Sequence, residues 1–133
     1  MKKKPVKALK KRLDTLFSRF IRLRHADHRQ WCTCVTCGKQ AHYKEFHAGH
    51  FVSRGKLATR FDEKNVNTQC PACNMFKAGE QYKHGKYIDT LYGTGTAEGL
   101  MVRGNTTCKM SAYDYESLIE QYKIKVKDLG GTI

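Results

Sequence analysis

The sequence predicts an α+β fold in which a small core rich in cysteine and histidine lies between helical segments. Two Cys-x-x-Cys pairs fall within residues 31–79, and the stretches between them have strand and loop character. On both sides of that core, in residues 5–28 and 80–133, apolar residues recur at the spacing of amphipathic helices. The chain has 133 residues, 40% of them hydrophobic, which is enough for a single globular domain spanning residues 1–133.

The charge of the chain indicates a polyanionic partner. Lys and Arg outnumber Asp and Glu by 25 to 12, so the formal net charge is +13. Residues 1–29 hold eleven of the basic residues and only two acidic ones. Nucleic acid is the partner that this concentration favours, because lysine and arginine neutralise phosphates. The sequence shows neither a membrane-spanning apolar run nor a secretory signal, so we expect a cytoplasmic protein with no membrane partner.

Residues 5–28 are predicted to form one basic amphipathic helix. The apolar positions are spaced alternately by three and four residues, which aligns them on one face: Val6, Leu9, Leu13, Leu16, Phe20 and Leu23. Lysine and arginine fill the opposite face. This stripe either packs on the core of the same chain or forms the seam of a homodimer, because its spacing is also that of a heptad repeat.

The other elements are predicted from local patterns and turn residues. Ser111 and Asp114 form a capping box that opens a long C-terminal helix, and Gly130-Gly131 ends it. The remaining predictions follow the chain: a strand at 45–51, a loop at 52–59, a second short strand or turn from residue 60, a helix from the second cysteine pair to about residue 78, and helices at 81–92, 97–102 and 111–129.

Four cysteines are predicted to hold a structural zinc ion. Cys34 and Cys37 form one pair, Cys70 and Cys73 form the other, and 32 residues separate the two pairs. This pattern suits a tetrahedral zinc site with four thiolate ligands. Paired redox motifs are the alternative, but the surrounding sequence does not resemble a thioredoxin-like βαβ unit.

The two remaining cysteines are not expected to bind this metal. Cys32 and Cys34 have a Cys-x-Cys spacing, which does not close a zinc-binding turn as Cys-x-x-Cys does, so we exclude Cys32. Cys108 is distant from the other cysteines in the sequence and is predicted to be a buried thiol.

Two histidines between the cysteine pairs are candidates for chemistry. His47 and His50 belong to the segment His-Ala-Gly-His, in which Gly49 allows close approach of another group. Side chains three residues apart lie on opposite faces of a regular strand, so we expect a bulge or twist at Ala48-Gly49 if both reach one site. The other histidines are interpreted as ordinary surface or core residues: His25, His28, His42 and His84.

Polar residues around the second cysteine pair complete the candidate site. Asn74 directly follows Cys73, so its side-chain oxygen could ligate a hard divalent cation, and a helix N-cap is the alternative role. Asn65 could tie the connection between the two strands through side-chain to backbone hydrogen bonds. Lys77 lies one helical turn beyond Asn74, and both Lys77 and Arg60 could meet a phosphate.

These residues together resemble a known superfamily of enzymes. A Cys-x-x-Cys pair, a strand ending in His50, Asn65 and the run Cys70-x-x-Cys73-Asn74-x-x-Lys77 follow one another in the order seen in HNH endonucleases. These enzymes, also called ββα-metal nucleases, are built on a treble-clef zinc core. The resemblance implies such a core over residues 31–79, flanked by the basic N-terminal helix and the C-terminal helices.

More narrowly, the chain resembles the NinG (Rap) recombination proteins of lambdoid phages. The shared positions are Cys34-x-x-Cys37-Gly38, Ala48-Gly49-His50, Arg60-Phe61, Asn65 and Gln69-Cys70-x-x-Cys73-Asn74-x-x-Lys77-x-Gly79. The resemblance is dense over residues 31–79 and loose in the C-terminal part. His47 departs from the family, which has Asp there, and a histidine shifts the expected metal preference towards softer ions.

The resemblance implies a metal-dependent endonuclease that cuts branched DNA, such as Holliday junctions and D-loops. It implies that His50 is the general base and that Asn74, with His47, holds one Mg²⁺ or Mn²⁺. Asn65 would position the loop that carries His50. The residues expected to contact DNA phosphates are Arg54, Arg60 and Lys77.

Expected partners are branched DNA, a second copy of the chain, and phage or host recombination proteins. A symmetric junction needs two nicks, which makes a two-fold homodimer plausible. Two alternatives stay open: an HNH nuclease or nickase without branch preference, and a non-catalytic zinc-framed module that only binds DNA. A second metal site beside His50 and Asn74 would distinguish an enzyme from the binding module.

Overall fold

The computed structural model describes residues 5–133, and they form five α-helices and four short strands. The helices are α1 (Val6–Leu23), α2 (Leu57–Arg60), α3 (Gln81–Tyr92), α4 (Thr96–Gly104) and α5 (Ala112–Asp128). The strands are β1 (Trp31–Thr33), β2 (Gln40–His42), β3 (His47–His50) and β4 (Val66–Gln69). This is mixed helix and strand structure, as the sequence predicts. Residues 1–4, on which the expectation about a secretory signal partly rests, lie outside the described residues.

The strands form two separate antiparallel pairs. β1 pairs with β2, and β3 pairs with β4. The β3–β4 register runs without interruption from His47 opposite Gln69 to His50 opposite Val66, so of the bulge or twist predicted at Ala48-Gly49 the bulge is absent. Gly49 is required in this register because a Cβ atom there would overlap the side chain of Gln69.

The apolar stripe of α1 is core of the same chain. Leu13, Leu16 and Ile21 are fully buried, and α1 packs along α5 and across the β3–β4 pair. Phe17 makes edge-to-face contacts with the rings of Phe61 and Tyr122. Of the two interpretations of the stripe, packing on the same chain is therefore confirmed for its buried residues, which leaves them unavailable as a dimer seam; Val6, at the start of the stripe, is exposed.

α1 ends five residues earlier than predicted. Arg24 leaves the helix and donates hydrogen bonds to the backbone carbonyls of Glu63 and Val66. The carboxylate of Asp27 then accepts the backbone N–H groups of Arg29 and Trp31, which turns the chain into β1. Such side-chain to backbone bonds compete with helix continuation.

The β3–β4 pair and the connection between its strands also differ from the prediction. The strand predicted at 45–51 is shortened to β3, because residues 43–45 form a 3-10 turn that the side chain of His42 caps. Residues 57–60, predicted as the end of a loop and the start of a strand or turn, form the short helix α2. The second strand of the pair begins later, at Val66, after the turn in which the N–H of Asn65 bonds the carbonyl of Asp62.

The C-terminal half follows the predictions closely. After Cys70 the chain forms a wide π-helical turn, Ala72–Phe76, which ends before Gly79, a residue with φ of +79°. α3 has the predicted bounds, α4 is longer than predicted by one residue at its start and two at its end, and the capping box at Ser111 and Asp114 is formed. Within residues 5–133, no helix has the length and apolar character needed to cross a membrane.

Candidate active site

The four predicted cysteines come together in an arrangement suited to a metal such as zinc. Cys34 and Cys37 lie in the turn after β1, Cys70 follows β4, and Cys73 lies in the π-helical turn. Their four sulfur atoms all lie within 4.8 Å of one another. The Sγ atoms of Cys37 and Cys70 are 3.7 Å apart, close to the edge of about 3.8 Å expected for sulfurs around tetrahedral zinc.

The thiol chemistry of this cluster fits a cation. Burial acts to raise the pKa of Cys34, but hydrogen bonds from the Thr36 hydroxyl and from backbone amides outweigh it and bring the pKa to about 6. Burial and the neighbouring thiols raise the pKa of Cys73 to about 12. Four crowded thiols cannot all ionise unless a positive charge compensates them, and a bound metal supplies that charge.

The other two cysteines lie outside this cluster. Cys32 is buried in β1, and burial raises its pKa to about 11, so it is a poor ligand. Cys108 is exposed, so the prediction of a buried thiol is wrong. It lies in the connection between α4 and α5, where no core element covers it.

An open cavity of about 730 Å³ brings together three of the predicted site residues. His47 and His50 both line it although β3 is regular, which is consistent with the strong twist of short two-stranded ribbons. Asn74 lines it from the turn after Cys73. The opposite wall comes from α1 and consists largely of polar residues: Asp14, Thr15, Ser18, Arg19 and Arg22.

His50 is held in one orientation. Its Nε2 atom lies 2.9 Å from the backbone carbonyl oxygen of Arg60. A carbonyl only accepts, so Nε2 carries the proton and Nδ1 keeps its lone pair. Burial lowers the pKa of His50, and the positive charges of Arg54 and Arg60 lower it further. The imidazole is therefore neutral near pH 7, as a general base must be.

His47 and Asn74 contact each other directly. The side-chain amide nitrogen of Asn74 lies 3.0 Å from Nδ1 of His47. A rotation of that amide would turn its oxygen towards the same point, so the two side chains could share one divalent cation. This donor set, one imidazole and one amide oxygen, fits a cation that retains several water molecules. Asp14 is the acidic residue among those lining the cavity, and arginines occupy its oxygens.

Asn65 ties the β3–β4 connection as predicted. Its side-chain oxygen accepts the N–H of Val52 at 2.8 Å, and its amide nitrogen donates to the carbonyls of Val52 and Thr59, both at 3.1 Å. Asn65 is fully buried, so these three bonds fix the loop that follows His50. Its part in catalysis stays a prediction.

The three predicted phosphate contacts have different surroundings. Lys77 is exposed and Arg54 is largely exposed, with 60% of its side chain accessible. Arg60 is different, because only 12% of its side chain is accessible and Asp14 engages its guanidinium on two atoms. The position of Arg60 suits an internal contact better than an external phosphate.

Asp14 is a site residue that the sequence analysis missed, whereas His84 was interpreted as an ordinary histidine. Asp14 lines the cavity and is the one acidic residue of α1, and this isolation within a basic helix is the signal that could have revealed it. His84 is fully buried and its Nε2 lies 3.0 Å from the amide nitrogen of Asn67. Burial lowers the pKa of His84 to about 4. It is a core histidine, which agrees with its ordinary interpretation.

Comparison with known proteins places the chain in a family. "Protein ninG" of Escherichia phage 933W is 26% identical over 111 residues, which cover 83% of this chain and 52% of that protein. The ninG proteins of Salmonella phage P22 and Escherichia phage lambda are each 25% identical over the same shares of both chains. The chain thus spans about half the length of these relatives. No solved structure matches it significantly. The family model described as "Bacteriophage Lambda NinG protein" matches residues 1–131, and the chain therefore belongs to the NinG family.

Proposed function

We propose that this protein is a metal-dependent endonuclease that cuts branched DNA. The observation that carries the proposal is the cavity in which His50, His47 and Asn74 meet beside basic side chains of α1. A base with a free lone pair, two donors for a cation and a positively charged wall are the parts that phosphodiester hydrolysis needs. The net charge of +13 supports DNA as the substrate.

His50 is the proposed general base. Nδ1, left free by the bond between Nε2 and the Arg60 carbonyl, takes a proton from the water that attacks phosphorus. The bond from phosphorus to the 3′ oxygen then breaks, and the leaving oxygen takes a proton from solvent water, which gives 5′-phosphate and 3′-hydroxyl ends. The lowered pKa keeps this nitrogen unprotonated near pH 7.

His47 and Asn74 are the proposed ligands of the catalytic cation. When bound, a divalent ion such as Mg²⁺ or Mn²⁺ stabilises the charge that develops on the scissile phosphate and on the leaving oxygen. Imidazole nitrogen favours softer metals than carboxylate does, so the His47 ligand favours Mn²⁺ over Mg²⁺. The four-cysteine cluster would hold zinc for structure only, since all its ligands are cysteines and no ligand position is open.

A treble-clef ββα-metal core is the fold that this proposal assigns to residues 31–79. The β3–β4 pair is followed by a helical turn that starts between Cys70 and Cys73, and His50 and Asn74 face the cavity from those two elements. The cysteines and the cavity residues lie on the same elements, because Cys73 and Asn74 are neighbours in one helical turn, and this supports the assignment. A zinc ion that fixes the turn containing Cys73 would therefore also fix the position of Asn74, the next residue.

Preference for branched DNA is the finer part of the proposal. One wall of the cavity is α1, and residues 5–29 carry eight basic residues, which offers a surface beyond the few residues at the scissile phosphate. Two nicks in a symmetric junction would need two copies of the chain. Because the relatives are about twice as long, recruitment by phage or host recombination proteins also stays part of the proposal.

The test is cleavage of a labelled four-way junction and of a linear duplex with the same arm sequences. Each is incubated with zinc-loaded protein in Mn²⁺, Mg²⁺ or EDTA. We expect metal-dependent cutting of the junction and little cutting of the duplex. Equal cutting of both substrates would leave a nuclease without branch preference. Binding of both without cutting in any metal would reject the enzyme and leave a zinc-framed DNA-binding module.

A further inference from the structure

We propose that Asp14 of α1 is a positioning residue for His50 and that it acts through the backbone of Arg60. The inference rests on the proposed nuclease function, since it assigns a role within the same site. Oδ1 of Asp14 accepts a hydrogen bond from Nε of Arg60 at 3.0 Å, and Oδ2 accepts one from Nη2. The carbonyl oxygen of the same Arg60 lies 2.9 Å from Nε2 of His50.

The Asp14–Arg60 pair is stronger than an ordinary surface ion pair. Both arms of the guanidinium contact the carboxylate, and the two side chains are only 20% and 12% accessible. Partial removal from water strengthens such a two-pronged pair. The third guanidinium nitrogen of Arg60 donates to the backbone carbonyl of Arg54 at 2.8 Å, so the side chain is held on both sides.

The carbonyl of Arg60 needs this support because of where it lies. Arg60 is the last residue of α2, a helix of four residues. A helix this short is not stable on its own, and its last carbonyls lack partners within the helix. Asn65 fixes the preceding carbonyl, that of Thr59, at 3.1 Å. Asp14 fixes the side chain of Arg60, the next residue. The carbonyl of Arg60 that faces His50 therefore has a fixed group on each side of it.

A fixed carbonyl determines which nitrogen of His50 carries the proton. With the carbonyl in place, Nε2 must donate and Nδ1 keeps the lone pair that a general base requires. With the carbonyl displaced, the other tautomer becomes accessible, and its protonated Nδ1 cannot accept a proton. An orienting partner of this kind determines the activity of a histidine base without touching the substrate.

The charge of Asp14 argues for an internal role. Asp14 is the one acidic residue lining a cavity that would receive phosphate, and a carboxylate there repels DNA. Because the charge of Asp14 weakens the attraction of the cavity for DNA, its presence there is best explained by a contribution to the structure of the site. In contrast, an acidic residue that only anchors α1 would serve equally well outside the cavity.

The experiment compares Asp14→Asn and Asp14→Glu with wild type, using the zinc-loaded full chain. Glu120→Gln is the matched control, because it removes one carboxylate of an exposed pair on α5. The first readout is the tautomer of His50, from long-range ¹H–¹⁵N spectra of the imidazole. The second is cleavage of the four-way junction, separated into kcat and KM.

For Asp14→Asn we expect a mixture of His50 tautomers and a kcat lower by about 10- to 100-fold, the usual effect of losing an orienting partner. KM should stay equal or fall, because a negative charge is removed. Asp14→Glu should recover part of the rate, and Glu120→Gln should match wild type in both readouts.

A wild-type tautomer in folded Asp14→Asn would overturn the inference and leave Asp14 a structural anchor of α1. A higher KM with an unchanged kcat in Asp14→Asn would also overturn the inference. If wild type itself does not cut, the proposed function fails, and the tautomer alone then decides whether Asp14 orients His50. If Asp14→Asn does not fold, the His50 tautomer and junction cleavage are measured on Arg60→Lys instead. Lysine keeps the positive charge but cannot make the two-pronged contact with Asp14.

Discussion

The four-cysteine cluster and the cavity around His50 are neighbours in the chain but differ in construction. In the cluster, four sulfur atoms lie within 4.8 Å of one another and three of the four residues are buried. The cavity is open, has about 730 Å³, and takes its residues from α1, β3 with the positions on either side of it, and the π-helical turn. Structural metal sites are closed by protein ligands, whereas sites that act on a substrate keep a position open. The contrast supports a structural role for the first and a chemical role for the second.

The two sites also differ in how far their parts lie from each other in the sequence. Each cysteine pair is local, since its members are three residues apart. The cavity site instead includes a contact between distant residues, since Asp14, which lines the cavity, pairs with Arg60 at a separation of 46 residues. Local spacing is visible in a sequence, but a long-range pair becomes visible only when the chain is folded. The predictions below separate the two sites, beginning with the largest effect.

Loss of the metal from the cysteine cluster should unfold the core that carries both sites. Binding of structural zinc contributes about 10 kcal/mol or more to folding in small zinc domains. Cys70→Ser, or chelation of the wild type, should therefore abolish the cooperative unfolding transition followed by circular dichroism. Cys108→Ser is the control, since Cys108 is exposed and outside the cluster. A chelated wild type that keeps its native spectrum would contradict a structural role for the cluster.

Asn65→Ala should damage the cavity and spare the cysteine cluster. It removes three buried hydrogen bonds and leaves the backbone N–H and carbonyl of Val52 without their partner, which costs about 4 kcal/mol. Urea unfolding measures the loss, and the variant should still bind one zinc per chain. Asn105→Ala, at an exposed position after α4, is the control. Unchanged stability in Asn65→Ala would show that the loop after His50 is held by other contacts.

His84 should make the folded protein less stable in acid. Its pKa lies near 4 when folded and near 6.5 when unfolded, so the unfolded chain binds the extra proton between these values. The stability is complete above pH 6.5 and falls as the pH drops towards 4, by about 3 kcal/mol. His84→Gln should reduce this slope, because glutamine does not titrate. Acid release of zinc affects both proteins equally, so the difference between their plots of unfolding free energy against pH isolates the contribution of His84. Equal slopes in wild type and His84→Gln would mean that other groups cause the pH dependence.

Ser111→Ala provides the reference far from either site. The Ser111 side chain accepts the N–H of Asp114 and the Asp114 carboxylate accepts the N–H of Ser111. Loss of such a cap lowers the free energy of unfolding by about 1 kcal/mol. Zinc content and junction cleavage should not change. A loss of cleavage in Ser111→Ala would mean that general stability, rather than the cavity, controls activity.

The sequence was most informative where the controlling interactions are local. The cysteine spacing, the capping box at Ser111 and the bounds of α3 all follow from residues within a few positions of each other. The hydrogen bonds of Asn65 were also predictable, because a polar residue between two short strands has few other partners. The family likeness seen in residues 31–79 agrees with the match over residues 1–131.

The sequence failed where distant residues compete with a local pattern. The predicted N-terminal helix runs past Leu23, but α1 ends there, and the side chain of Arg24 donates to the distant backbone carbonyls of Glu63 and Val66. Arg60 looks like a free cation until Asp14 is placed beside it. Of the bulge or twist predicted at Ala48-Gly49, the bulge is absent, yet His47 and His50 line the same cavity, which leaves the twist as the alternative.

The most direct test of the central claim is junction cleavage by His50→Ala, measured beside wild type and His28→Ala. His28 is exposed and lies outside the cavity, so its variant controls for loss of a histidine. All three proteins should bind zinc and DNA equally. The account predicts that His50→Ala cuts about 100- to 10,000-fold more slowly in Mn²⁺, the usual contribution of a general base, while His28→Ala cuts at the wild-type rate. Cutting by His50→Ala at the wild-type rate would contradict the assignment of this cavity as the active site.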